Sequence, residues 1–175
     1  MESWKERYEV SGLSEIKTLL ISRLTSTSSG ASIPSASLAL ENRSFKPTND
    51  ARFYRATVLP ARPGDVGFGT PGDNRHMGIF QVDIFEPKNR GDTAVTAEAE
   101  RIVTFFKRGT RLIGLDDITV PIYPSETLYP SETLYPEDNY WFSIWIERAY
   151  CDIALEVEES YHVPVVIEWN CDRPN

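Results

Sequence analysis

The sequence predicts an α+β fold: a mixed or antiparallel β-sheet with two main α-helices packed on one face, and long projecting loops. Three observations predict it. Between Met77 and Leu112, Ile79, Gln81, Asp83 and Phe85 alternate with Phe80, Val82 and Ile84, the period of two that a pleated strand requires. After Pro87 and Asn89-Arg90-Gly91, the apolar residues Val95, Ala99, Ile102, Val103 and Phe106 fall on one stripe, the period of a helix. Further β-rich runs lie on both sides of this unit. A strand and an amphipathic helix joined by a short turn are the two layers of such a core.

The remaining elements follow in order. Residues 1–12 are polar, with Trp4 and Tyr8 on one helical face; they read as a short helix or an arm packed on a neighbour. Leu13, Ile16, Leu19, Leu20 and Leu24 form a helical stripe, with Ser11 or Ser14 as cap and Glu15 in the first turn. The Ser/Thr-rich run Thr25 to Ser37 reads as a loop or frayed linker. A short strand begins at Leu38, and Asn42 to Asp50 is a turn or irregular crossing anchored by Phe45 and broken by Pro47. Phe53 to Leu59 is a strand ended by Pro60.

Residues 60–76 carry four Gly and three Pro, which predicts an irregular loop. Because it joins two strands expected to pair, it should project as a finger. In the helix 94–106, Asp92 or Thr93 is the expected cap, and Lys107, Arg108 and Gly109 close it. Arg111 to Leu115 and Ile118 to Tyr123 are expected strands around a Gly114–Asp117 turn. A perfect tandem repeat, PSETLY at 124–129 and again at 130–135, lies in an inserted loop, 124–139. Two copies are too few for a solenoid, and lengthening a loop costs only about 0.6 kcal/mol per doubling. Tyr140 to Val157 is long and aromatic, with a bend or bulge expected near Arg148 to Tyr150. Tyr161 to Trp169 is the last strand, where Pro164 implies an edge or a bulge. The 175 residues read as one domain, 1–175, large enough to bury a core.

Charge divides the chain. Residues 1–111 hold sixteen Lys/Arg against thirteen Asp/Glu, a balance of +3; residues 112–175 hold Arg148 and Arg173 against thirteen acids, a balance of −11. An acidic protein of this kind does not grip nucleic acid through phosphates. The split could orient copies head to tail, although a solvated acidic face is the simpler reading. No apolar run approaches the ~20 residues that cross a bilayer, and MESWKERYEV contains no apolar signal region, so neither a membrane nor export is expected. Cys151 and Cys171 are expected as buried thiols.

Chemistry is sparse. Gly67-Phe-Gly69-Thr-Pro-Gly72 matches a dinucleotide motif by letters, but a strand and not a helix follows it. His76 and His162, the two histidines, stand in no metal-ligand spacing. A site assembled from His76, Asp73 and Asp83 is the remaining enzymatic option. Asp116-Asp117 and Glu158-Glu159 are adjacent, and adjacent strand residues face opposite ways. No cofactor, metal or catalytic residue is assigned. Trp141, Phe142, Trp145, Tyr150 and Trp169 lie among Glu147, Asp152, Glu156, Glu158 and Glu159, which favours core packing or a subunit interface over nucleic-acid stacking.

Several stretches together resemble the tail terminator-like proteins of long-tailed, non-contractile bacteriophages. They are the helix Ser14 to Leu24, the segment Ala39-Leu-Glu-Asn42 with Phe45-Lys-Pro47, the strand Phe53 to Pro60 and the Gly-rich loop. The strand Met77 to Phe85 with Glu86-Pro87, Gly91 before the helix Ala94 to Phe106, and Pro164-Val-Val-Ile-Glu168 complete the match. It covers residues 13–122 and 160–170; the PSETLY repeat, the Trp-rich strand and the residues before Ser14 fall outside it.

The resemblance implies a structural virion protein and no enzyme: a homo-oligomeric ring, typically a hexamer, at the tail and neck, assembled in the host cytoplasm. The ring would cap the tail tube, stop its polymerisation and present a surface to the head–tail connector. DNA would pass through its lumen without specific binding. The expected contacts lie on two projecting loops: Arg62, Asp65, Phe68 and Arg75 on the first, Glu126, Tyr129, Glu132 and Tyr135 on the second. The alternatives are another neck or connector ring, or a small-molecule-binding or hydrolytic α+β domain using loop 60–76 as a lid.

Overall fold

The computed structural model describes residues 13–48, 50–66, 73–113, 143–157 and 160–173. The arm 1–12, the glycine motif 67–72, the strand 118–123, the repeat loop 124–139 and the pair Glu158-Glu159 lie outside them. The elements are α1 (Leu13–Thr25), β1 (Leu38–Leu40), β2 (Phe53–Pro60), β3 (Gly64–Val66), β4 (Asp73–Pro87), α2 (Thr93–Phe105), β5 (Arg111–Ile113), β6 (Ser143–Cys151), β7 (Leu155–Val157) and β8 (Ser160–Arg173). The sheet order is β1-β2-β4-β8-β6-β5, with β3 added to β4 and β7 to β8. All its pairings are antiparallel except β1 with β2. The expected α+β class is therefore the observed one.

Strand periodicity assigns the two faces. Phe80, Val82 and Ile84 of β4, Val165, Ile167 and Trp169 of β8, and Ile144 of β6 are buried on the helix side. Ile16, Leu20 and Leu24 of α1 and Val95, Ala99 and Ile102 of α2 close over them in one continuous core. Each such large side chain contributes about 1.5–3 kcal/mol by leaving water. Helix α1 touches both β2 and β5, strands near opposite ends of the sheet, so the sheet curls around its helices. The opposite, convex face carries neither helix.

Several local expectations are sharpened or corrected. Residues 60–76 are not irregular throughout: Gly64–Val66 pairs with Asp73–Arg75, extending the β2–β4 hairpin into a β-stranded finger. Of the two readings of 25–37, a loop or a frayed linker, the loop holds, and it is packed. Ala31 and Ile33 are buried, and their amides donate to the Arg23 and Leu24 carbonyls at 3.1 and 3.2 Å, satisfying groups that a helix end leaves open. Asp92 occupies the cap position of α2 but its side chain accepts no helix amide, because its backbone is already helical (φ −96°, ψ −22°) and not extended.

Pro164 lies in β8, a central strand, not at an edge. It is tolerated because β6 ends at Cys151, opposite Val165, and β7 begins at Leu155, opposite His162. In that gap the Asp152 amide donates to the Pro164 carbonyl at 2.9 Å, and no ladder bond needs the N–H that proline lacks. The expected bulge in β6 falls between Ile146 and Arg148. Cys171 is buried as expected, but Cys151 is exposed, since the irregular 152–154 connection leaves it near the strand's end.

A polar network fastens α2 to the sheet. Buried Glu86 accepts a hydrogen bond from Arg52 Nε, and Arg90 Nη1 lies 3.8 Å from its other oxygen. The Tyr54 hydroxyl donates to Glu98 Oε1 at 2.8 Å, and Arg101 grips Glu98 with two nitrogens at 2.7 and 2.8 Å. Burial pushes the Tyr54 phenol up, the bond to Glu98 pushes it further, and it reaches about 12. Burial alone would raise the Glu98 carboxyl, but Arg101 and Tyr54 outweigh it and hold it below the usual carboxylate range.

Two outcomes follow. Gly78 sits where an added Cβ would lie 2.6 Å from the Leu59 carbonyl oxygen and 2.7 Å from Trp169 Cζ2. Gly78→Ala should therefore lower stability by about 1–3 kcal/mol in urea titration. Gly64→Ala, where nothing lies within 4 Å, should leave it unchanged. A raised phenol favours the folded state below the unfolded value near 10 and loses that contribution as pH rises toward 12. Thermal melts should show stability falling between pH 10 and 12, with a shallower fall in Tyr54→Phe.

Candidate interaction surface

The convex face is assembled in cross-strand rows. Phe53, Phe85 and His162 are register partners. Phe53 stacks on Phe85 at 4.5 Å, and Phe85 on His162 at 4.7 Å, both pairs within 7° of parallel. Phe45 leans on Phe53 at 5.7 Å, and the Arg55 guanidinium lies 5.3 Å over the Phe85 ring. In the next row, buried Asp83 receives Gln81 Nε2 at 2.7 Å and faces His162 Nε2 at 2.9 Å. The pair holds His162 flat against Phe85.

Two grooves open on this face. One, of about 330 Å³, is floored by Ala39, Leu40, Phe45, Pro47 and Phe53 and rimmed by Glu41, Arg43 and Arg55. The other, of about 520 Å³, runs along the β6 bulge between Arg108, Trp145, Arg148, Glu168 and Asn170. There Arg148 pairs with Glu168 at 2.7 Å, and Arg111 lies 5.2 Å over the Trp145 ring. Exposed apolar side chains stud the surface: Leu59, Met77, Trp145, Tyr150, Leu155 and Ile153, the last 79% exposed. A sheet face in permanent contact with water alternates toward polar residues. This one carries apolar side chains in almost every row, the mark of a surface that associates.

The expected contact residues are distributed as follows. Arg62 is exposed in the turn beyond β2, and Arg75 is half-buried on β4 opposite Gly64. Asp65 lies on β3, in the finger. Phe68, Glu126, Tyr129, Glu132 and Tyr135 lie outside the described residues. His76, Asp73 and Asp83 do not converge. His76 and Asp83 are seven residues apart on one strand, roughly 23 Å, and face opposite sides of it. Among the described residues no group of three or more His, Cys, Asp or Glu is placed to hold a metal ion.

Sequence reasoning placed no contacts on the groove beside Phe45 or on the exposed corner at Ile153. A signal for the first was present. Phe45 and Pro47 of Asn42-x-x-Phe45-x-Pro47, a specific part of the resemblance, lie on the groove's floor. The second had none, because Ile153 reads as one more apolar residue in a β-rich run.

Comparison with known proteins identifies the group. No curated protein matches the chain. Four solved chains share its fold. One of them superposes with a TM-score of 0.61 at 14% identity, covering 93% of this chain and 96% of its own. The family described as phage tail terminator protein matches residues 15–169. That span takes in every helix and strand except the first two residues of α1 and the last four of β8: the chain belongs to the phage tail terminator family and is a structural protein of the phage tail.

Proposed function

We propose that the chain works as a ring, a hexamer of identical subunits, that caps the completed tail tube, stops its polymerisation and offers the surface to which the head attaches. The observation that carries this reading is the convex sheet face, in a member of the terminator family. A curled sheet whose helices cover one side leaves an apolar second side for neighbours. Its partners are further copies of itself, the tube subunit on one side and the head–tail connector on the other. The chain is made in the host cytoplasm and ends in the virion. The β-stranded finger at 60–76 is the element best placed to reach a partner beyond the sheet, with Arg62 at its base. The acidic part beyond residue 111 suits a lumen through which DNA passes, since it repels phosphates.

The test is tube growth. Tube subunits of the same phage polymerising in vitro should stop elongating when the purified chain is added. Electron microscopy should then show an annular cap at one end of each tube. Tubes that grow at an unchanged rate to unchanged lengths, with bare ends, would contradict the reading.

A further inference from the structure

We propose that the groove beside Phe45 receives the β6–β7 corner of a second copy, with Ile153 as the inserted side chain; this rests on the ring reading above and names the contact that would build it. The corner is Asp152-Ile153-Ala154, the break that Pro164 permits between β6 and β7. Ile153 is the most exposed large apolar side chain among the described residues, at 79%, and Leu155 beside it is 54% exposed. Exposed acids, Asp152 and Glu156, flank them. The groove has the opposite character. Its floor is Phe45, Pro47 and Phe53, and Arg43 and Arg55 stand on its rim. The rim's one carboxylate, Glu41, is occupied by Lys17 at 2.6 Å. Neither Arg43 nor Arg55 makes an ion pair with a described residue. An apolar hole with a basic rim thus matches an apolar knob with an acidic collar.

Position makes the contact intermolecular. Phe53, Phe85, His162 and Leu155 form one row across the sheet, so groove and corner stand at its two ends. Three strand spacings, roughly 14 Å, separate them within a chain. Groove on groove would set like charges together. Groove on corner is a heterologous contact, the kind that propagates from copy to copy and closes into a ring. The same contact gives the charge division of the sequence a use: Arg43 and Arg55 belong to the basic part, Asp152 and Glu156 to the acidic part.

The test is disulfide trapping in a Cys151→Ser background, which removes the exposed native thiol and leaves buried Cys171. One preparation carries Pro47→Cys and another Ile153→Cys. Mixed and oxidised, they should give a covalent dimer that neither gives alone. A chain carrying both substitutions should give a ladder of covalent oligomers that ends at the ring size. A disulfide needs Cα atoms within about 7 Å, so it cannot form across one chain of this fold.

Arg43→Glu and Asp152→Lys should each weaken self-association about tenfold by sedimentation, and together restore most of it. Absence of the 47–153 disulfide while the parent chain self-associates in light scattering overturns this contact and leaves the ring reading standing. Additive losses in the double charge reversal also overturn it. A parent chain that stays monomeric, both alone and on purified tail tubes, removes the ring and the contact together.

Discussion

The fourteen-residue antiparallel pairing of β4 with β8, from Asn74 opposite Arg173 to Pro87 opposite Ser160, is the constraint on which the molecule depends. It fixes which side chains of both strands face the helices and which face away. A slip of one residue would turn Phe80, Val82, Ile84, Val165, Ile167 and Trp169 outward together. The contacts of Trp169 over Gly78 help hold the register, because that close approach exists at one alignment only. Strands β2 and β6 then build outward from this pair, and α2 is pinned across it by Glu86, Tyr54, Glu98 and their arginines.

Two helices are enough to cover one face of such a sheet. The convex face is left with stacked rings, paired charges and exposed aliphatic side chains. Its features divide by purpose. The Phe53–Phe85–His162 stack and the Asp83 hydrogen bonds are satisfied within the chain and stiffen the surface. The groove beside Phe45 and the corner at Ile153 leave apolar side chains open to solvent in the isolated chain.

Much of this was legible in the sequence. The alternation in 79–85 and the stripe in 94–106 identified β4 and α2, because both elements pack against the core and so carry its period. The stripe from Leu13 to Leu24 identified α1 for the same reason. What was not legible depended on partners distant in the chain. Glycine and proline in 60–76 argued against regular structure, yet β4 continues to Asp73 because β8 is long enough to pair with it as far as Asn74. Pro164 argued for an edge or a bulge, but a break in the partner strand relieves it just as well. Trp169 is buried and Trp145 is 43% exposed because each follows its own strand's alternation, Trp169 in step with Val165 and Ile167 and Trp145 out of step with Ile144 and Ile146. The contact surface was sought on two loops expected to project, where glycine, proline and the repeat drew attention, and not on the sheet face.

The central claim is that the convex sheet face is buried between subunits of the assembled tail. Hydroxyl-radical footprinting of intact tails against the isolated chain measures this directly, residue by residue. Strong protection is expected in tails at Phe45, Pro47, Tyr150, Ile153 and Leu155, with the outward sides of α1 and α2 labelled as before. Equal labelling of those five residues in both samples, or protection confined to the helices, would contradict it.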